Sequence, residues 1–226
     1  MRILALDAST EACSAALSLG GAVTARYAES GPGAAERVLS MVDELLAEAG
    51  LPLAALDAIA AGIGPGAFTG VRISVAVAQG LAFGAGLRVA PVSTLEALAF
   101  PAVHGGPVLA CLDARMAEVY WACFQADPRR GLIPVGPAHV GPAASVVVPA
   151  GLRCRGVGRG FTAYPELAAL PAVDVADAAA AALPHARDIA SLGALRAAAG
   201  ELIDPAELEP LYLRDKVALT EAERSR

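Results

Sequence analysis

The acids best placed for chemistry are two aspartates that each close a short apolar run. Asp7 follows Ile3-Leu4-Ala5-Leu6, and Asp113 follows Ala110-Cys111-Leu112. A carboxylate at the end of a buried strand can hold a metal ion on a nucleotide phosphate or orient an attacking water. Ser9, Thr10 and Ser14 lie just beyond Asp7 and carry hydroxyls able to donate to phosphate oxygens. A plainer use exists for the same residues: Asp7 can cap its own turn, and Asp113 can pair with Arg115. A phosphoryl-transfer centre normally shows more than two acids, which favours the plainer use. Gly156-Val157-Gly158-Arg159-Gly160 has a similar pair of readings, a close approach to an adenosine or a strand-end turn.

The longest glycine-rich motif runs from Gly62 to Ser74. A strand pattern breaks into Gly64-Pro65-Gly66 and opens directly into an apolar helix. Glycine lets a ligand or a second backbone come close, and a helix starting there aims free amides at whatever fills the turn. The motif is not a P-loop, because Lys216 is the one lysine in the chain and no G-x-x-x-x-G-K-[ST] occurs. His104, His139 and His185 are solitary, without metal-ligand spacing, and read as loop residues. The four cysteines (Cys13, Cys111, Cys123, Cys154) form no C-x-x-C pair and read as reduced, buried thiols of a cytosolic protein. No G-x-S-x-G elbow is present.

With a formal net charge of −6, the chain is a poor match for autonomous nucleic-acid binding, which relies on basic side chains. Met1-Arg2 and the strand after it do not read as a signal peptide. The longest apolar stretch, from Val71 to Leu87, is interrupted by Arg72, Ser74 and Gln79, so no membrane span is expected and the expected location is the cytoplasm.

Strand patterns over Ile3–Asp7, Cys13–Leu19 and Ala22–Tyr27 precede an amphipathic helix, Ala34–Ala49. Asp57–Ile63 (strand), Phe68–Ala85 (helix), Arg88–Val92 (strand) and Thr94–Phe100 (short helix) follow. After the Pro/Gly-rich segment from Pro101 to Pro107 the order begins again, with strands over Val108–Asp113, Glu118–Phe124 and Ile133–Val140. Leu4-Ala5-Leu6-Asp7-Ala8 is echoed by Ala110-Cys111-Leu112-Asp113-Ala114. The expected fold is α/β, a duplicated ribonuclease H-like (actin-like, ASKHA) architecture with a cleft between two domains. Residues 1–105 would form the first domain and 106–226 the second, with the tail 208–226 a candidate to pack back on the first.

The helix from Phe68 is apolar nearly all round, so both faces are expected to be covered. One face must lie on a sheet, and Ala76, Gly80 and Gly84 make a smooth stripe on another. The expected partner contacts are Val38, Met41, Val42 and Leu45 on the first helix, with Gly70, Ile73, Ala76, Val77, Gly80 and Gly84 on the second. Packing within the chain is the competing explanation.

Four segments resemble the TsaB (YeaZ) family: Ile3 to Ser14, Gly64 to Ile73, Pro91 to Leu98, and Asp113 to Trp121. Tyr212-Leu213-Arg214-Asp215-Lys216-Val217-Ala218 resembles that family's C-terminal signature. The resemblance implies a non-catalytic subunit of the bacterial machinery that makes tRNA N6-threonylcarbamoyladenosine (t6A37). Such a subunit dimerises with the catalytic paralogue TsaD, helps dock the ATPase TsaE and forms a homodimer when alone. It implies no required cofactor, with Asp7, Ser9, Thr10 and Asp113 lining at most a vestigial nucleotide cleft. TsaD carries H-x-E-x-H where this chain has Thr94-Leu95-Glu96-Ala97-Leu98, so Thr94 and Leu98 stand in the histidine positions. The alternative reading is a nucleotide-binding ATPase or kinase of the same fold that uses Asp7 and Asp113.

Overall fold

The computed structural model describes residues 1–29 and 33–214. The first sheet contains β1 (Arg2–Asp7), β2 (Ala12–Leu19), β3 (Ala22–Glu29), β4 (Ala58–Gly62) and β5 (Val89–Val92), in the order β3-β2-β1-β4-β5. Strands β1, β2 and β3 form an antiparallel meander, while β4 and β5 run parallel to β1. Helix α1 (Ala34–Ala49) links β3 to β4, α2 (Phe68–Ala85) links β4 to β5, and α3 (Thr94–Ala99) follows β5.

The second sheet repeats the pattern. It contains β6 (Val108–Arg115), β7 (Glu118–Asp127), β8 (Gly131–Pro134), β9 (His139–Pro142), β10 (Cys154–Val157) and β11 (Val173–Val175). Its order is β11-β10-β6-β7-β8, with β9 also on β7; β10 and β11 run parallel to β6. The two sheets therefore have the same topology, and Asp7 and Asp113 lie near the ends of equivalent strands. The duplicated fold read from the sequence is the one observed. The strand expected over Ile133–Val140 is two strands, β8 and β9, on successive stretches of β7. Pro134, Gly136 and Pro137 break it, because proline cannot donate to a ladder.

Strand alternation sets the layers. Leu4 and Leu6 of β1 face the core under α1 and α2, whereas Ile3 and Ala5 face a second core between the sheets. On β6, Val108, Ala110 and Leu112 join that central core, while Leu109 and Cys111 face outward beneath Phe161 of the short helix α4 (Gly160–Ala163). After α5 (Asp177–Ala180), α6 (Ala186–Ala198) crosses back to lie on β1, β2 and β4, and α3 from the first half packs on β6 and β7. The halves thus exchange helices, and their central core is continuous. Small side chains permit this: Ala5, Ala16, Ala58, Ala60 and Ala90 carpet the first sheet, and α6 meets them through Gly193.

The chain then returns along β5, pairing Ile203 with Val89, and buries Leu208 beneath α2. Helix α2 is long and apolar enough to cross a membrane by length and composition alone, but Gly70, Val71, Ser74, Val75, Ala78 and Ala82 are buried. Its opposite face is open in the single chain, so packing within the described residues does not cover it.

A Cβ added at Gly193 would lie 2.5 Å from the Ala60 Cβ. Gly193→Val is expected to destabilise the chain by roughly 2 kcal/mol, because overpacking a filled core outweighs the gain in helix propensity. A urea melt reads this directly, and an unchanged midpoint would contradict the close packing of α6.

Candidate functional site

The turn after β1 and the glycine loop after β4 are pressed together. A Cβ at Gly62 would sit 2.1 Å from Asp7 Oδ1, one at Gly66 would be 2.1 Å from the Ser9 carbonyl oxygen, and one at Gly70 would be 2.2 Å from that of Ala8. The Ala67 amide donates to the Ser9 carbonyl at 2.7 Å. The glycines admit a second backbone here, one of the two uses their chemistry allowed.

Asp7 is consequently sealed, 1 % exposed, with the Ser9 hydroxyl donating to its Oδ1 at 2.7 Å and the Ser9 amide at 3.3 Å. Burial pushes its carboxyl up to about 6 against those hydrogen bonds, which favour the charged form. Asp7 caps its turn and does not line the cleft. Ser14 is likewise engaged, accepting from the Ala186 amide at 2.9 Å at the start of α6.

The cleft itself measures about 320 Å³ and draws walls from both halves. Ser9, Thr10 and Asp113 line it, together with Glu11, Phe68 and Arg115. Asp113 is tied down. It accepts from the Arg115 amide at 2.8 Å and the Tyr164 hydroxyl at 3.2 Å, and pairs with the Arg115 guanidinium at 2.9 Å. Arg115 also reaches across to Glu11 at 2.8 Å. These bonds hold the β6–β7 turn, in which Arg115, Met116 and Ala117 all have positive φ, a conformation that non-glycine residues rarely adopt.

The remaining wall is the C-terminal segment from Leu211 to Arg214, whose presence in the cleft the candidate site from sequence did not include. The Leu211 amide donates to the Ile63 carbonyl at 2.7 Å, and Arg214 binds Glu118 and the Ala114 carbonyl. Leu208, Leu211 and Tyr212 lie against α2 and the glycine loop of the first half, whereas Arg214 is held by the second; residues 215–226, including Lys216, lie outside the described residues. The apolar Leu208 and Leu211 and the basic Arg214 are the only sequence hint of this path.

Thr94 is fully buried; its amide donates to the Gly64 carbonyl at 2.9 Å and its hydroxyl to that of Pro65. Leu98 belongs to the central core. Among the described residues, no three His, Cys, Asp or Glu side chains converge as a metal site. His104 and His139 are exposed. His185 is half-buried; it stacks on Tyr27 and caps α6 by accepting from the Arg187 amide, so it is a helix cap and not a free loop residue. All four cysteines are buried free thiols, and burial pushes Cys123 to about 12. Gly158 and Gly160 pack against the Cys111 backbone, the strand-end turn of the two readings.

The expected partner contacts divide. Val38, Met41, Val42 and Leu45 face the chain's own core, 0–7 % exposed, and are corrected to core residues. Their spacing marks a buried stripe, and the first sheet is what buries it. Gly70 is corrected likewise, since it is buried against Ala8. Ala76, Gly80 and Gly84 are exposed, and Ile73 and Val77 are half-exposed.

Duplicated sheets with exchanged helices and a shared cleft define a protein of the actin-like class. A family model described as "TsaD: tRNA N6-adenosine threonylcarbamoyltransferase" matches residues 32–222. The tRNA threonylcarbamoyladenosine biosynthesis protein TsaB of Escherichia coli is 39 % identical, the alignment covering 96 % of both chains. TsaB of Haemophilus influenzae is 36 % identical over 96 % of this chain and 95 % of its own. A solved structure of YeaZ from Pseudomonas aeruginosa superposes with a TM-score of 0.85 at 43 % identity, covering 94 % of this chain and 99 % of that one. Another, with a TM-score of 0.86, 43 % identity and the same coverage, is described as an uncharacterized protein with similarity to peptidase YEAZ. The chain belongs to the TsaB (YeaZ) family.

The raised Asp7 carboxyl gives a pH signature. Well below the ordinary value of 3.8 both folded and unfolded chains hold the proton. As pH climbs towards 6 the unfolded chain ionises first, so stability falls, by roughly 3 kcal/mol once Asp7 is charged in both states. Asp7→Asn should flatten that decline and be more stable than the parent at pH 7. Asp188, also raised to about 6 by burial, contributes in both proteins, so the difference between their urea midpoints isolates Asp7. Parallel pH profiles would contradict the raised state of this buried carboxyl.

Proposed function

We propose that this chain is a non-catalytic subunit of the bacterial t6A synthesis machinery, acting in the cytoplasm. It dimerises with TsaD through the open face of α2, helps dock TsaE, and self-associates when alone. It needs no cofactor of its own and leaves tRNA binding to its partners. The observation that carries this reading is the face of α2. Exposed Phe68, Ala76, Gly80, Phe83 and Gly84 lie on a helix whose inner face already packs on the sheet. Contiguous apolar surface of this kind marks association.

Catalytic silence is supported by how the candidate groups are used. A threonine hydroxyl held by a carbonyl and a leucine in the core stand where TsaD has histidines, and neither side chain replaces an imidazole. Asp7 is sealed from the cleft, and Asp113 is engaged by Arg115 and Tyr164. Cysteine nucleophiles are disfavoured by burial, which keeps the thiols protonated.

The test is t6A formation by the reconstituted proteins. Gly80→Leu adds bulk where a Cβ meets nothing within 4 Å, so the fold should survive while binding to TsaD and tRNA modification are lost. Asp7→Asn and Asp113→Asn should lower the rate by no more than about tenfold, well short of the loss expected on removing a group that acts in the transition state. Full TsaD binding by Gly80→Leu would overturn the docking face. A collapse of rate in the aspartate variants with the complex intact would revive the enzyme reading.

A further inference from the structure

The open stripe of α2 repeats every fourth residue: Phe68, Arg72, Ala76, Gly80 and Gly84 are all exposed. Arg72 is the one charged residue in the whole helix. It is also held in place. Its guanidinium carbon lies 3.2 Å from the centre of the Phe68 ring and 5.1 Å from that of Tyr212, and the two rings are 6.5 Å apart. One of its nitrogens donates to the Phe68 carbonyl at 3.1 Å, and among the described residues it has no ion pair. An arginine fork carries five N–H donors, so most of its hydrogen-bonding capacity remains open.

A cation fixed by two aromatic rings on an otherwise uncharged surface poses a physical problem once that surface is covered. Burying it without a counter-charge would leave an uncompensated ion, which is strongly unfavourable. Helix α2 has no acid to offer; on the neighbouring α1 Glu44 and Glu48 are taken by Arg26, and neither Glu36 nor Asp43 pairs with Arg72. The missing group must come from the covering molecule, and a planar fork held flat is matched by a carboxylate in two-bonded geometry.

We infer that Arg72, positioned by Phe68 and Tyr212, is a specificity determinant of the docking face and pairs with a carboxylate on the TsaD subunit. The inference rests on the docking role proposed above. It also gives the C-terminal segment a part in recognition, because Tyr212 supplies half of the aromatic clamp.

Calorimetric titration of TsaD from the same organism into the intact chain tests this with three variants. Arg72→Met keeps the stem and its apolar cover, Arg72→Lys keeps the charge without the fork, and Gly80→Leu reports on the face itself. Arg72→Met should weaken binding by about tenfold or more, as expected for removing one member of a buried ion pair. It should also flatten the fall in affinity between about 50 and about 300 mM NaCl. Arg72→Lys should weaken binding too, since a point charge does not replace a stacked fork. Parental affinity and salt dependence in Arg72→Met, with binding lost in Gly80→Leu, would overturn the inference and leave the docking role standing. Parental binding in all three would overturn both. A change confined to self-association would also overturn the inference, placing the arginine's role between copies of this chain.

Discussion

The rest of the structure depends on one contact, the approach of the β4–α2 loop to the turn that ends β1. Three glycines, at positions 62, 66 and 70, lie where any Cβ would strike Asp7, Ser9 or Ala8. That approach fixes where α2 begins and which face it turns to the sheet. The same loop offers its carbonyls outward. Gly64 and Pro65 accept from Thr94 at the start of α3, and Ile63 accepts from Leu211 of the C-terminal segment. One short stretch therefore sets the first sheet, two helices and the tail in register with one another. The Ala67 amide, a donor of the kind that a phosphate-binding helix start directs at a ligand, is directed here at the Ser9 carbonyl.

This arrangement commits both strand-end aspartates to bonds within the chain. Burial raises the Asp7 carboxyl, and the second-half acid is paired with an arginine that also bridges the halves. The cleft is walled by aromatic, aliphatic and paired ionic groups together with Ser9 and Thr10, and by a segment of the chain's own tail. The outer stripe of α2 stays uncovered by the described residues. The proposed function and the proposed role of Arg72 both follow from that stripe.

Local signals carried far in the sequence. The spans of α1 and α2 were legible to the residue, because apolar periodicity and the glycines at 50 and 86 mark their limits. Duplication was legible because each half repeats a strand ending in aspartate before a hairpin. Periodicity reports that a stripe is buried but not what buries it, so Val38, Met41, Val42 and Leu45 read equally as core or as interface. The exchange of α3 and α6 between sheets is a non-local choice made by alanine-lined surfaces. Nor could spacing reveal that Tyr212 returns to Phe68 and Arg72 across more than half the chain. The site was legible in part even as bonds: the plainer use, Asp7 capping its turn and Asp113 pairing with Arg115, is the one observed, whereas the Tyr164 hydroxyl on Asp113 and the Arg115–Glu11 pair join residues too far apart in sequence to be read there.

Hydrogen exchange in a Gly70→Ala variant tests the central role of the loop most directly. A methyl group there would sit 2.2 Å from the Ala8 carbonyl oxygen, forcing the loop off the turn without touching α3 or the tail. If the loop is the shared joint, the amides of Thr94 and Leu211 should lose protection together with the first turn of α2, while those of β7 keep theirs. Faster exchange confined to the first turn of α2, with Thr94 and Leu211 protected as in the parent, would contradict the account.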